Sequence, residues 1–363
     1  MKRILLATTA SLAATSAWAE VNVVASFSIL ADMVEHVGGE HVTVTALVGP
    51  DGDTHSFQPT PADARAIAGA DLVIVNGLEF EGWLERMIEA SGYSGEVIEA
   101  AHGITPIAYE EGDHDDHNDA EEAAHDDHDD HGHTEEASAE HDHDHEEEVA
   151  EKDHDHVHGE EVAEKDHDHG HEDHAGHDDH AGHDHGELDP HAWQDAGNAV
   201  FYVEEIVEGL VAADPANAAS YEANAAAYIA ELTALDAEIT AMVDSIKPEH
   251  RVLITSHDAF GYFGNAYGFE IAAPISGAME SQPSAGEVAE LIEQIRGFGV
   301  PAIFVENITD DRLIEQIASE TGATMGGTLY SDALSQPDEP AGTYVDMLRY
   351  NATTITSALN EGS

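Results

Sequence analysis

Twenty-seven histidines, 76 carboxylate side chains and no cysteine make imidazole and carboxylate the chemistry with which this 363-residue chain can meet a ligand. Both are ligands for divalent cations, and without thiols there are no disulfides, thiolate metal sites or thiol nucleophiles. The histidines fall into two populations. Twenty lie in the 74 residues 113–186, and seven are spread over the rest: His36, His41, His55, His102, His191, His250 and His257. Of these seven, His55, His191 and His257 stand just past an expected strand or at an expected helix start. Those are the places where α/β folds present ligand sites.

The segment 113–186 also carries 31 Asp or Glu, only two Lys, and no large apolar residue beyond three valines. It cannot bury enough surface to offset ordering entropy, so disorder is expected. The run EEVAEKDHDH occurs at 147–156 and again at 160–169, a duplication that a packed core would not easily accept. Alternate histidines at His141, His143 and His145, at His154, His156 and His158, and at His167, His169 and His171 predict weak metal capture. A flexible chain loses entropy on wrapping an ion, so these sites are expected to be weaker than a preorganised one.

Strands and helices alternate along the remainder. Strands are expected at 21–25, Val42–Val48, Leu72–Val75, 252–255, 301–305 and 323–329. Helices are expected around Ile29, Met33 and Val37, at 62–68 behind Thr60-Pro61, and at 83–88. Others are expected from Asp189-Pro190 through Val211, and over 259–267 with Asp258 capping it. The last three are 289–298, Arg312–Thr321 and 343–359. The 214–246 stretch places Tyr221, Ala225, Tyr228, Leu232, Leu235, Ile239, Met242 and Ile246 at alternating spacings of four and three, predicting a single long helix. At 1.5 Å per residue it would reach about 50 Å. The expected fold class is therefore α/β, with two lobes, each a mainly parallel sheet flanked by helices, joined by one long helix. The boundaries are a signal peptide at 1–19, a first lobe at 20–212 that includes the insert, a linking helix at 213–247 and a second lobe at 248–363.

Four motifs lie in order along the chain: His-x-Phe-Gln-Pro at 55–59, Asp-Pro-His-x-Trp at 189–193, Ser-His-Asp-Ala-Phe-x-Tyr-Phe at 256–263 and Leu-Tyr-Ser-Asp-Ala-Leu-Ser at 329–335. With the long helix and the histidine-rich insert, they resemble the metal-specific solute-binding proteins of bacterial ABC transporters, the zinc and manganese family that includes ZnuA. The resemblance implies one metal in a cleft between lobes, held by His55, His191, His257 and Asp332. Three imidazoles and one carboxylate form a nitrogen-rich set suited to tetrahedral Zn²⁺. In the manganese members the third motif carries a glutamate where His257 stands here. Some zinc members carry a glutamate before the first histidine, where this chain has Thr54, with Asp53 one step earlier. Asp53 and Glu306 are the expected carboxylates behind the ligands. Trp193, Phe57, Phe260 and Tyr262 are expected to wall the cleft.

A formal charge of −65 excludes phosphate backbones and anionic lipid surfaces as partners. Residues 1–19 read as a cleaved signal peptide, with Lys2 and Arg3 ahead of an apolar stretch and Ala17-Trp18-Ala19 at its end. The absence of cysteine speaks against a lipid-modified N-terminus. The expected protein is a periplasmic monomer without membrane insertion that delivers zinc to a membrane permease, and a periplasmic metallochaperone is a further candidate partner. A zinc buffer acting through the insert and a manganese-binding relative are the alternatives. No His-Glu-x-x-His, nucleophile elbow or glycine-rich phosphate loop points to an enzyme.

Overall fold

The computed structural model describes residues 20–109, 188–274, 283–299 and 302–361. The expected signal peptide and the insert 113–186, with its nine capture histidines, lie outside them. The first lobe opens with β1 (Val21–Phe27), which runs directly into α1 (Ser28–Gly38). There follow β2 (Val42–Val48), α2 (Pro61–Ala68), β3 (Leu72–Val75), α3 (Leu84–Ser91) and β4 (Glu96–Glu99). These strands form one parallel sheet in the order β2-β1-β3-β4. The central strands β1 and β3 are almost wholly buried, as parallel strands covered on both faces should be. β4 is an exposed edge with glutamate at both ends, so it carried no apolar signal in the sequence. Thr60 closes a capping box with Asp63, and Pro61 sits in the first turn of α2.

Next come α4 (Ala199–Ala213) and α5 (Ala218–Val243). At 26 residues, α5 is about 39 Å long, shorter at both ends than the 214–246 pattern suggested. Asp214 accepts hydrogen bonds from the Ala216 N–H and the Asn217 side chain, which turns the chain before the helix begins. At the other end Ser245 and Ile246 close as turns. The stripe read from the sequence is nonetheless the buried face, from Tyr221 to Ile239. It packs against α1, α4 and α9 (Tyr344–Glu361).

The second lobe continues with β5 (Val252–Ile254), α6 (Gly261–Tyr267), β6 (Glu270–Ala272) and α7 (Ala285–Phe298). β7 (Ala302–Glu306), α8 (Arg312–Thr321) and β8 (Thr324–Leu329) precede α9. Among the described residues its strands form two parallel ladders, β5-β6 and β7-β8. Strand alternation divides two cores between them. Leu253, Ala302 and Phe304 face the large core shared with the first lobe, α5 and α9. Val252, Ile254, Ile303 and Val305 face a smaller one with α7 and α8. The β7-β8 ladder shifts register at Ile303/Phe304. There Gly326 is required, because a Cβ would come within 2.4 Å of the Phe304 ring. No helix among the described residues is long and apolar enough to cross a membrane.

One expected helix is broken. The run from Asp189-Pro190 through Val211 forms a single 3₁₀ turn at Ala192–Gln194, and helix resumes only at Ala199. Local side chains compete for the backbone: Asp189 accepts the His191 N–H, Asp195 accepts the Gly197 N–H, and Asn198 donates to the Ala192 carbonyl. Asp258 does not cap α6, whose N-cap is Phe260 with no side-chain cap bond.

Candidate metal centre

Each of His55, His191, His257 and Asp332 hangs from a loop at the carboxyl end of a strand or from an irregular turn. His55 follows β2 in a loop stiffened from both sides. The Asp53 carboxylate accepts the His55 N–H at 2.8 Å and the Ser56 hydroxyl, and the Trp83 indole donates to the Thr54 carbonyl at 3.0 Å. Asp53 therefore holds the backbone of His55 and not its ring. Against the ring stands Phe80, edge-on at 5.0 Å between centroids. Phe80 is delivered by three successive left-handed residues, Gly77, Leu78 and Glu79, with φ of 84°, 52° and 61°. For Leu and Glu that conformation costs about 1–2 kcal/mol each. The buried Glu81 carboxylate pins the loop by accepting from the Ser26 hydroxyl at 2.5 Å and the Asn76 N–H at 2.7 Å.

His191 is completely buried on the broken turn. Asp189 takes both its N–H, at 2.9 Å, and its ring Nδ1, at 2.7 Å, leaving Nε2 to face the site. His257 follows β5 and is equally buried. The Glu306 carboxylate, at the end of β7 on the same strand face as Phe304, accepts the His257 N–H at 2.8 Å, and its other oxygen lies 2.6 Å from Nδ1. Two imidazoles are thus backed by carboxylates. One carboxylate is two residues away and the other forty-nine.

Asp332 follows β8, and two first-lobe side chains grip the residue before it. The Trp193 indole and the Gln194 amide donate to the Ser331 carbonyl at 2.8 and 2.7 Å. The broken turn thus points both side chains at one carbonyl of the second lobe. Sequence reading gave Trp193 only a wall role, and it missed Gln194, Phe80 and the orienting part of Asp189. The Asp189-Pro190-His191 spacing could have signalled the last. Phe57 packs on Trp83 at 4.9 Å, and Phe260 and Tyr262 are buried in the main core.

The four side chains converge. Each offers one donor atom, and all four atoms lie within 4.8 Å of one another. The Nε2 atoms of His55 and His257 are 3.2 and 3.3 Å from Asp332 Oδ2, and that of His191 is 3.6 Å from Oδ1. Imidazole centroids are 5.4–5.9 Å apart. None of the three Nε2 atoms nor either Asp332 oxygen makes a hydrogen bond among the described residues, though all are buried. Leaving one such group unpaired costs about 1–3 kcal/mol, so five in one spot describe a site shaped for something that pairs with all of them.

The electrostatics agree. Burial drives the His191 imidazole downward, but Asp332 and Asp189 outweigh it and the net shift is upward. Burial likewise opposes charge on His257, and Glu306 and Asp332 overcome it by a wide margin. Burial pushes Asp332 up, while His191 and His257 hold it well below the usual carboxylate range. The carboxylates thus favour positive charge on His191 and His257.

Comparison with known proteins follows the same line. The manganese-binding lipoprotein MntA of Halalkalibacterium halodurans is 28% identical over 341 residues, covering 94% of this chain and 89% of that protein. The iron-binding protein YfeA of Yersinia pestis is 28% identical over 362 residues, covering 97% and 93%. Among solved structures, the periplasmic zinc-binding protein TroA of Treponema pallidum superposes with a TM-score of 0.69 at 26% identity. It covers 94% of this chain and 99% of its own. The family described as ZnuA, zinc-uptake complex component A, periplasmic, matches residues 23–358. With two α/β lobes, a connecting helix and a buried histidine–aspartate cluster, the chain belongs to the ZnuA family of metal-binding ABC-transporter solute receptors.

Proposed function

We propose that this protein is a periplasmic zinc receptor that captures one Zn²⁺ with His55, His191, His257 and Asp332 and hands it to the membrane permease of an ABC importer. The observation that carries the reading is the set of five buried, unpaired donor atoms at the cluster. A tetrahedral zinc with bonds of about 2.0–2.1 Å separates its ligand atoms by about 3.3 Å. The contacts of His55 and His257 with Asp332 Oδ2, at 3.2 and 3.3 Å, match that edge length. Three nitrogens to one carboxylate favour zinc over the oxygen-preferring manganese. Four protein ligands leave no position for a catalytic water, which supports a receptor and not an enzyme.

In this reading the ion is cargo. Asp189 and Glu306 fix which ring nitrogen of His191 and His257 faces it and make those nitrogens better donors. Phe80 and Trp193 keep water from the imidazoles. The histidine-rich insert gathers ions weakly and raises their concentration near the tight site. The protein acts as a monomer in the periplasm after loss of residues 1–19.

Elemental analysis and chelator competition on the purified chain test this. One tight zinc per chain, lost in His191→Ala and retained when 113–186 is deleted, is the expected result. Loss of tight binding with the insert, and not with His191, would favour the buffer role. The manganese reading draws support from the manganese-binding relative. Because zinc outbinds manganese at almost any nitrogen–oxygen site, that reading is judged by whether loss of the protein impairs growth under manganese limitation and not under zinc limitation.

A further inference from the structure

Asp51 makes contacts that neither the motifs nor the ligand set explain. It sits four residues before His55 in a left-handed conformation, φ 55°, that aspartate tolerates better than most residues. Every polar group it offers beyond its own carbonyl is spent on the second lobe. Its N–H donates to the Leu334 carbonyl at 2.9 Å. Its two carboxylate oxygens accept from the Asn307 amide at 3.3 Å and the Gln336 amide at 3.2 Å. Asn307 follows Glu306, the carboxylate behind His257, and also donates to the Ala333 carbonyl at 3.4 Å. Leu334 and Gln336 flank Asp332 on its C-terminal side.

The same short segment is held elsewhere by the first lobe. The Leu334 N–H donates to the Ser28 hydroxyl at 3.0 Å, and Trp193 and Gln194 hold the Ser331 carbonyl. The stretch 331–336 thus belongs to the second lobe by sequence but is gripped on both sides of Asp332 by first-lobe groups. Asp51 is the member that touches both carboxylate-bearing loops of the second lobe, the one after β7 and the one after β8.

We infer that Asp51 is an interlobe clasp, a positioning residue that keeps Asp332 seated on the ion and thereby sets the rate of ion release. This rests on reading the cluster as a metal site. Asp51 is exposed and touches none of the four ligands, so its loss should loosen the seating of the 331–336 stretch while leaving the ligand set intact.

The test is stopped-flow release of Co²⁺ and Zn²⁺ to excess chelator, with the Co²⁺ absorption spectrum as a reporter of the ligand set. Asp51→Gly removes both acceptors while tolerating the positive φ, and Asp51→Asn keeps one acceptor and the same backbone preference. Expected are release about tenfold faster in Asp51→Gly, association within about twofold of the parent, an unchanged Co²⁺ spectrum at saturation, and substantial rescue in Asp51→Asn. The Asn307→Ala/Gln336→Ala pair removes both side-chain bonds to Asp51 from the other side, along with the Asn307–Ala333 bond, and should speed release at least as much, so the clasp remains testable if Asp51→Gly folds poorly. Release within twofold of the parent in these variants overturns the clasp while the metal site stands. A parent chain that takes up neither ion overturns the site reading itself.

Discussion

His191 and His257 present Nε2 to the site from the two lobes, and they are built differently. Both are fully buried, both turn Nε2 to the centre and both have a carboxylate at Nδ1. In the first half that carboxylate is Asp189, supplied by the same turn. In the second it is Glu306, carried by a different strand and brought to His257 only when β5 and β7 pack side by side. The first arrangement forms with its own turn, whereas the second depends on the lobe being folded. His55 is a third case, with no carboxylate on its ring, a phenylalanine edge against it and its backbone held by Asp53.

The largest expected effects fall on the proposed ligands. If four ligands share the roughly 10–16 kcal/mol typical of a protein zinc site, each carries about 3–4 kcal/mol, or several hundred-fold in affinity. His191→Ala and His257→Ala are expected to lose tight zinc binding by that order in chelator competition. Equal losses would show that the halves contribute alike despite their different construction.

A second effect acts on stability. Burial raises the Glu81 carboxyl from 4.5 to about 7, with Ser26 and Asn76 pulling only partly against it. The folded chain therefore holds this proton over a range where the unfolded chain has lost it, and stability falls as pH rises from about 4.5 through 7. The difference amounts to about 3 kcal/mol above pH 7. Glu81→Gln should be more stable than the parent by that order at pH 8 and indistinguishable near pH 4.5, in urea unfolding of the metal-free protein. No stabilisation at pH 8 would mean that the first-lobe loop relaxes when Glu81 ionises.

The sharpest test of local against long-range support is smaller. Removing the carboxylate behind a ligand imidazole costs about 10- to 100-fold in metal affinity. Asp189→Asn and Glu306→Gln should both fall in that range. Glu306→Gln should also lower the unfolding midpoint of the metal-free chain, because Glu306 holds the His257 N–H and lies against its ring. Smallest is Asp53→Ala, which frees the His55 backbone and should weaken binding about fivefold. A larger loss would indicate that Asp53 reaches the ion.

Much of this was legible along the chain. The buried strands β1, β3 and β7 announced themselves as apolar runs, and the stripe on α5 was readable because a 26-residue helix repeats its signal. The weak elements were not. β4 is a glutamate-flanked edge, β6 has three residues, and the helix expected after Asp189 is interrupted by side chains that bond their own backbone. Within the site, the three histidines stood out by rarity outside the insert. Asp332 came only through the family motif, since one carboxylate among 76 carries no signal of its own.

Composition and spacing supplied the inventory: imidazole and carboxylate without thiol, strands alternating with helices, and histidines near strand ends. Those are properties of composition and local periodicity, and each is complete within a few residues. Packing is what sets which carboxylates back which imidazoles, that Trp193 and Gln194 hold the loop bearing Asp332, and that Asp51 bonds to both loops of the second lobe. Such pairings join residues separated by up to 285 positions. No local pattern encodes them, because burial in a shared core, and not sequence spacing, brings those groups within hydrogen-bonding distance.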